Sequence, residues 1–238
     1  MKTYKLITYC LLLSLIISCS SNENNTKKDD FQYLTEQFAD LKMIRYQVPG
    51  FESLELRQKK LIYFLSQASL SGRDIIFDQN YRYNLRVRRT LETIVANYQG
   101  DRETDEFKSF MEYTKRVWFS GGIHHHYASK KMAPKFTSEY FINELINQTE
   151  SSNTYSFPLL EGEDKMDLAR KLDEIIFNPN IDSKRVNRDA GIDIILGSAN
   201  NYYASDITES DVNVFYSKEI EEKAPEYGLN SKLKKDNE

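Results

Sequence analysis

Cysteine is nearly absent: the 238 residues hold two, Cys10 and Cys19, both among the first nineteen. The rest of the chain can therefore form neither an internal disulfide nor a thiolate metal site, and the even count carries no disulfide framework. Histidine is as scarce, with three residues in a single run, His124, His125 and His126. An excess of positive charge is also missing. The formal charge is −4, and without residues 1–18, which contain Lys2 and Lys5, 30 basic side chains face 36 acidic ones, a net of −6. Such a surface has no general attraction for nucleic acid. The local run Arg86-Val-Arg-Arg89 falls inside a helical pattern and reads as a solvated helix face. The leading apolar run, residues 6–17, is 12 residues long, short of the roughly 20 needed to span a bilayer.

What is present is globular in character. Hydrophobic residues make up 40 % of the chain and aromatics 13 %, mostly 16 Tyr and 13 Phe, ample for a buried core. Residues 1–18 read as a secretory signal, with Lys2 and Lys5 as its positive end. Leu15-Ile-Ile-Ser-Cys19 resembles a bacterial lipobox, which implies cleavage before Cys19 and lipid attachment to its thiol. Residues 19–30 are a polar tether that can bury nothing. The expected location is the cell envelope, with the protein lipid-anchored to a bacterial membrane.

The folded part begins at Phe31. Phe31, Leu34, Phe38, Leu41 and Ile44 keep helical spacing and predict a first helix, ended by a turn at Pro49-Gly50. A second helix carries Leu54, Leu61, Leu65 and Ala68, with Gly72 as terminator. Residues 72–80 read as a polar connection. A third helix holds Val87, Leu91, Ile94, Val95 and Tyr98. A fourth opens at Thr104 with Asp105 and Glu106 in its first turn, and its stripe is Phe107, Phe110, Met111, Thr114, Val117 and Trp118. Ser138 is placed to cap a fifth, bearing Phe141, Ile142, Leu145 and Ile146. After a polar linker over 147–156, a sixth holds Leu168, Leu172, Ile175 and Ile176. Residues 192–203 read as a strand leading into a second extended piece. Thr208-Glu-Ser-Asp211 resembles a capping box opening another helix. Residues 227–238 read as a strand entering a turn without a returning partner, so the chain is expected to be incomplete.

The densest stretch is Arg116-Val-Trp-Phe-Ser-Gly-Gly-Ile-His-His-His-Tyr127, with the only tryptophan and all the histidines. Three consecutive histidines chelate poorly: a strand sends His124 and His126 to one face and His125 to the other, while a helix needs spacings of three or four. A loop after a helix, its imidazoles bonded to backbone carbonyls and packed on aromatics, is the alternative.

Together with Arg45-Tyr-Gln-Val-Pro-Gly-Phe51, Gly72-Arg-Asp-Ile-Ile-Phe-Asp-Gln-Asn80, Lys184-Arg-Val-Asn187, Ser198-Ala-Asn-Asn-Tyr-Tyr203 and Tyr227-Gly-Leu-Asn-Ser231, that stretch resembles dipeptidyl peptidase III, a zinc exopeptidase family, in its Bacteroides-type form. The resemblance implies a two-lobed peptidase with a peptide-binding cleft between the lobes. It implies that residues 31–238 are the amino-terminal part of the lobe opposite the zinc, mainly α with a few strands (α+β). The family's His-Glu-x-x-Gly-His motif, which holds zinc and supplies a general base, has no counterpart here, and Glu221-Glu222 has no histidine helix upstream. No catalytic residue and no metal ligand carries over. The implied zinc belongs to the full-length family and not to this chain, and the expected partners are a peptide substrate and a membrane, not nucleic acid. Candidate cleft-lining residues are His124, His126, Tyr127, Asn200 and Asn201; Cys19 is the lipidation candidate. The expected function is the amino-terminal lobe of an enzyme that removes dipeptides from oligopeptide amino termini. The alternative is a non-enzymatic lipoprotein that binds peptides or a partner.

Overall fold

The structure, a computed structural model, describes residues 31–222 and 231–235. The signal segment, the tether with Cys19, and most of the block 227–231 lie outside the described residues. The fold is mainly helical, with one two-stranded antiparallel sheet. The chain divides into two compact units, Met1–Glu52 and Ser53–Glu238.

In the first unit the expected helix is replaced by a hairpin: β1 (Leu34–Phe38) pairs antiparallel with β2 (Leu41–Ile44). Ala39-Asp40 makes the reversal, with Ala39 at a φ of 48°, the two-residue connection hairpins favour. Leu34, Met43 and Ile44 are all exposed. Phe31, Phe38 and Leu41 are only half-buried, so no residue of the expected stripe has the full burial on which a helix depends. Local bonds hold the hairpin instead. The Thr35 hydroxyl donates to the Met43 carbonyl at 2.9 Å, and Arg45 Nε donates to the Gln32 carbonyl at 2.8 Å. Pro49-Gly50 forms the expected turn, with Gly50 at a φ of 84°.

The second unit contains six α-helices among the described residues. They are α1 (Leu56–Ser71), α2 (Arg73–Asn80), α3 (Asn84–Asn97), α4 (Asp105–Ser120), α5 (Lys165–Phe177) and α6 (Glu209–Glu221). The stretch 72–80, expected as a connection, is α2. Gly72 at φ −81° stays right-handed, so it joins α1 to α2 with a kink and not a reversal. Val87, Leu91 and Ile94 on α3 are fully buried, as their spacing requires. Thr104 caps α4 by accepting from the Phe107 amide at 3.1 Å. The fifth helical segment is π-wound over Tyr140–Ile146. Its first turn is capped by Thr137, which accepts from the Tyr140 amide at 3.1 Å. Ser138, expected as the cap, donates its hydroxyl to Asp173 on α5.

The core centres on an aromatic cluster in which Phe136 meets Phe110, Tyr113 and Phe177 edge-on at 5.5–5.8 Å between centroids. Asp164 and Asp167 form a reciprocal capping box at the start of α5. Lys131 closes its other end, donating to the carbonyls of Ile175 and Asn178 at 2.8 Å each, where a cation complements the helix dipole. The Arg86-Val-Arg-Arg89 run is not a free basic face. Arg86 pairs with Glu163, Arg88 with Asp74 and Glu92, and Arg89 with Asp74.

Residues 192–203, expected as a strand, are a series of turns organised by Asp193. Its carboxylate accepts from the amides of Ile195, Leu196 and Glu209 at 2.8–3.0 Å. An aspartate bonding its own following backbone competes directly with a ladder, and here it wins. Only Tyr203 keeps an extended contact, an isolated parallel bridge to Leu233. Thr208 and Asp211 cap α6 as the sequence predicts.

Helix α1 is the exception to the core logic. None of its residues is buried, although Leu56, Leu61, Ile62, Tyr63, Phe64, Leu65 and Leu70 all lie on it. Among the described residues no helix is long and apolar enough to cross a membrane. Denaturant unfolding tests this division: Phe141→Ala, at a buried position, is expected to cost about 3–5 kcal/mol, and Leu61→Ala no more than about 0.5 kcal/mol.

Candidate functional site

The stretch that follows α4 is held by one side chain. Asn84, fully buried at the start of α3, donates through Nδ2 to the carbonyls of Phe77 at 3.0 Å and Gly121 at 3.3 Å. Its Oδ1 accepts from the Ile123 amide at 3.1 Å. One amide group thus ties the end of α2 and the start of α3 to the Gly-Gly turn. Gly121 ends α4 in the left-handed region, with a φ of 65°. Gly122 has a φ of 146°, and a Cβ there would stand 2.0 Å from Asn84 Nδ2. Glycine is required at this position both by the backbone and by the packing.

The three histidines then separate. His124 enters the core: it is 2 % exposed, packs edge-on against Tyr81 at 5.4 Å, and its Nε2 lies 2.7 Å from the Asp182 carbonyl. Its Nδ1 is buried without a hydrogen-bond partner among the described residues. Burial pulls its pKa down from 6.5 to about 4, so the ring is neutral at pH 7. Tyr81 donates its hydroxyl to Asp182 Oδ2 at 2.6 Å, and burial, reinforced by that carboxylate, raises the phenol well above its usual range. His125 caps a turn, its Nδ1 accepting from the amides of Tyr127 and Ala128 at 3.2 and 3.1 Å. His126 stacks on His125 at 4.5 Å and meets Phe119 edge-on at 5.0 Å. Tyr127 is 87 % exposed.

Two of the imidazole nitrogens are taken, His124 Nε2 on the Asp182 carbonyl and His125 Nδ1 on two turn amides. Among the described residues no group of three or more His, Cys, Asp or Glu side chains is placed to hold a metal ion.

Arg185 joins this loop to the second candidate segment. It donates to the His126 carbonyl at 3.0 Å and to Asn80 Oδ1 at 3.3 Å, while Asn80 Nδ2 donates to the Gly121 carbonyl at 3.0 Å. The Arg185 carbonyl accepts both the backbone and side-chain amides of Asn200, at 3.1 and 3.2 Å. Asn201 donates its amide to the Gln79 carbonyl at 2.8 Å. Residues about forty to over one hundred and twenty positions apart therefore share one hydrogen-bond network.

Asn200 and Asn201 line a cavity of about 330 Å³, together with Ser198, Tyr203, Arg82 and Lys232. His124, His126 and Tyr127 do not line it. Sequence reasoning did not single out Arg82, Lys232, Asn84 or Asp182. Arg185 was visible only as part of a quoted block, and nothing in a polar residue at a helix start signals the buried role of Asn84. No protein-family model matches the chain, and no curated protein matches it.

Two measurements check this geometry. Gly122→Ala is expected to destabilise the fold by about 2–4 kcal/mol, from the forced φ and the displaced Asn84. For His124, the unfolded state binds its proton near pH 6.5 and the folded state near pH 4. The unfolding free energy should therefore fall as pH drops through that window and change little above it. Asp211, whose carboxyl is held down at about 2 by hydrogen bonds from Thr208 and by Lys235, titrates below that window. His124→Gln should flatten the slope between pH 6.5 and 4 in urea melts.

Proposed function

We propose that this chain is the amino-terminal part of the non-zinc lobe of a zinc-dependent dipeptidyl peptidase of the dipeptidyl peptidase III type. In this reading Cys19 carries the lipid anchor at a bacterial membrane surface. The zinc ligands and the general base come from elsewhere in the protein, and these residues contribute a wall of the peptide cleft. The observation that carries the reading is the convergence of four of the six blocks on which the resemblance rests. The stretches 72–80, 116–127, 184–187 and 198–203 are bonded to one another through Asn80, Arg185, Asn200 and Asn201. Residues within the quoted blocks thus take part in setting the local geometry. A second support is α1, whose seven large exposed apolar side chains are the kind of surface that further protein covers.

The alternative, a lipid-anchored protein that binds a peptide or partner without chemistry, draws support from the polar cavity at Asn200 and Asn201. The two readings separate at the native locus. Reading the DNA past codon 238 is expected to reveal an open frame with a His-Glu-x-x-Gly-His helix; a stop codon there favours the binding protein. In an assay of the 238-residue chain with zinc and a dipeptidyl arylamide, no turnover above buffer is expected. Zinc-dependent release from this chain alone would overturn the reading.

A further inference from the structure

The cavity beside α2 has a one-signed lining. Arg82 and Lys232 reach it from chain segments 150 positions apart, and among the described residues no Asp or Glu lines it. Arg82 makes a ring contact with Tyr83 at 5.9 Å and has no ion-pair partner among the described residues. Lys232 donates to Asn201 Oδ1 at 2.7 Å, a neutral acceptor that orients the ammonium without neutralising it. Asn201 is itself held, its Nδ2 donating to Asp78 Oδ1 at 3.4 Å, and Asp78 does not line the cavity. Ser198 is spoken for: its hydroxyl accepts from the Asn187 amide at 2.8 Å and donates to the Ile194 carbonyl at 2.5 Å. Arg82 and Lys232 thus bring two cationic donors to the cavity beside the neutral hydroxyls of Tyr203 and Ser205, and Ile207, 2 % exposed, supplies an apolar wall.

We infer that this cavity is a binding site for an oxyanion, the carboxylate or phosphate end of a small molecule. Arg82 offers a planar fork suited to two oxygens, and Lys232 offers a point charge held in place by Asn201. The volume, about 330 Å³, lies at the small end of ligand sites and suits a molecule about the size of a dipeptide. The assignment rests on this cavity alone and stands apart from the peptidase reading.

The test is a heteronuclear NMR titration of the 238-residue chain with three probes. These are inorganic phosphate, an N-acetylated dipeptide with a free carboxylate, and the same dipeptide as its amide. Saturable shifts at the Asn201 side-chain amide and at Ser205 are expected with one or both anions and not with the amide. Binding of phosphate alone or of the carboxylate alone identifies which anion the site takes. Arg82→Gln and Lys232→Gln should each raise Kd at least about tenfold, the loss expected for one charge-assisted bond. Both residues are exposed, so the fold should be retained. Lys108→Gln, outside the cavity lining, should leave Kd unchanged. No saturable binding of either anion, equal binding of the amide, or Kd values insensitive to Arg82 and Lys232 would each overturn the assignment.

Discussion

Much of the second unit depends on the buried Asn84 amide. Its bonds to Phe77, Gly121 and Ile123 join three backbone segments that otherwise have no common element of regular structure. Of these, the Ile123 bond matters most. The Phe77 carbonyl also accepts from the Tyr81 amide, and the Gly121 carbonyl from Asn80 Nδ2. The fully buried Ile123 amide relies on Asn84 Oδ1. A buried donor left without an acceptor costs far more than an average hydrogen bond contributes. The glycine at position 122 follows from the same contact, because no side chain fits between its backbone and the Asn84 amide.

Once that junction is set, the next residues have little choice. The chain leaves Ile123 in the core, so His124 follows it inward and becomes a neutral ring wedged between Tyr81 and the 182 carbonyl. Asp182 then serves two partners at once, its backbone for His124 and its carboxylate for Tyr81. The residues after it, Lys184 and Arg185, bridge outward to the loop at 199–201. The cavity at Asn200 and Asn201 is thus positioned by a relay of backbone acceptors that begins at a helix start more than one hundred residues earlier.

Periodic apolar spacing was sufficient for α3, α4 and α5, because Val87, Leu91, Phe110, Leu168 and Leu172 have a core to face. The caps at Thr104 and Thr208 were legible for the same local reason. Spacing misled where no burial backs it. Residues 31–44 carry helical intervals but expose most of their apolar side chains, and the hairpin is held by backbone and side-chain bonds that a pattern does not encode. At 192–203 a β-rich composition loses to one aspartate, Asp193, whose carboxylate draws three amides into turns. Of the candidate site, Asn200 and Asn201 were legible within their block. Arg82 and Lys232 were not, since only the folded chain brings these residues, 150 positions apart, to one cavity. The histidines illustrate the limit in reverse: adjacent in sequence, they are assigned to a core, a turn and a stacked ring.

The account's central claim is that Asn84 secures the junction on which the loop network rests. Equilibrium urea unfolding of Asn84→Ala against the parent chain tests it most directly. The orphaned Ile123 amide and the cavity left behind predict a loss of about 2–4 kcal/mol. A loss below about 0.5 kcal/mol, the range of an ordinary surface substitution, would contradict it.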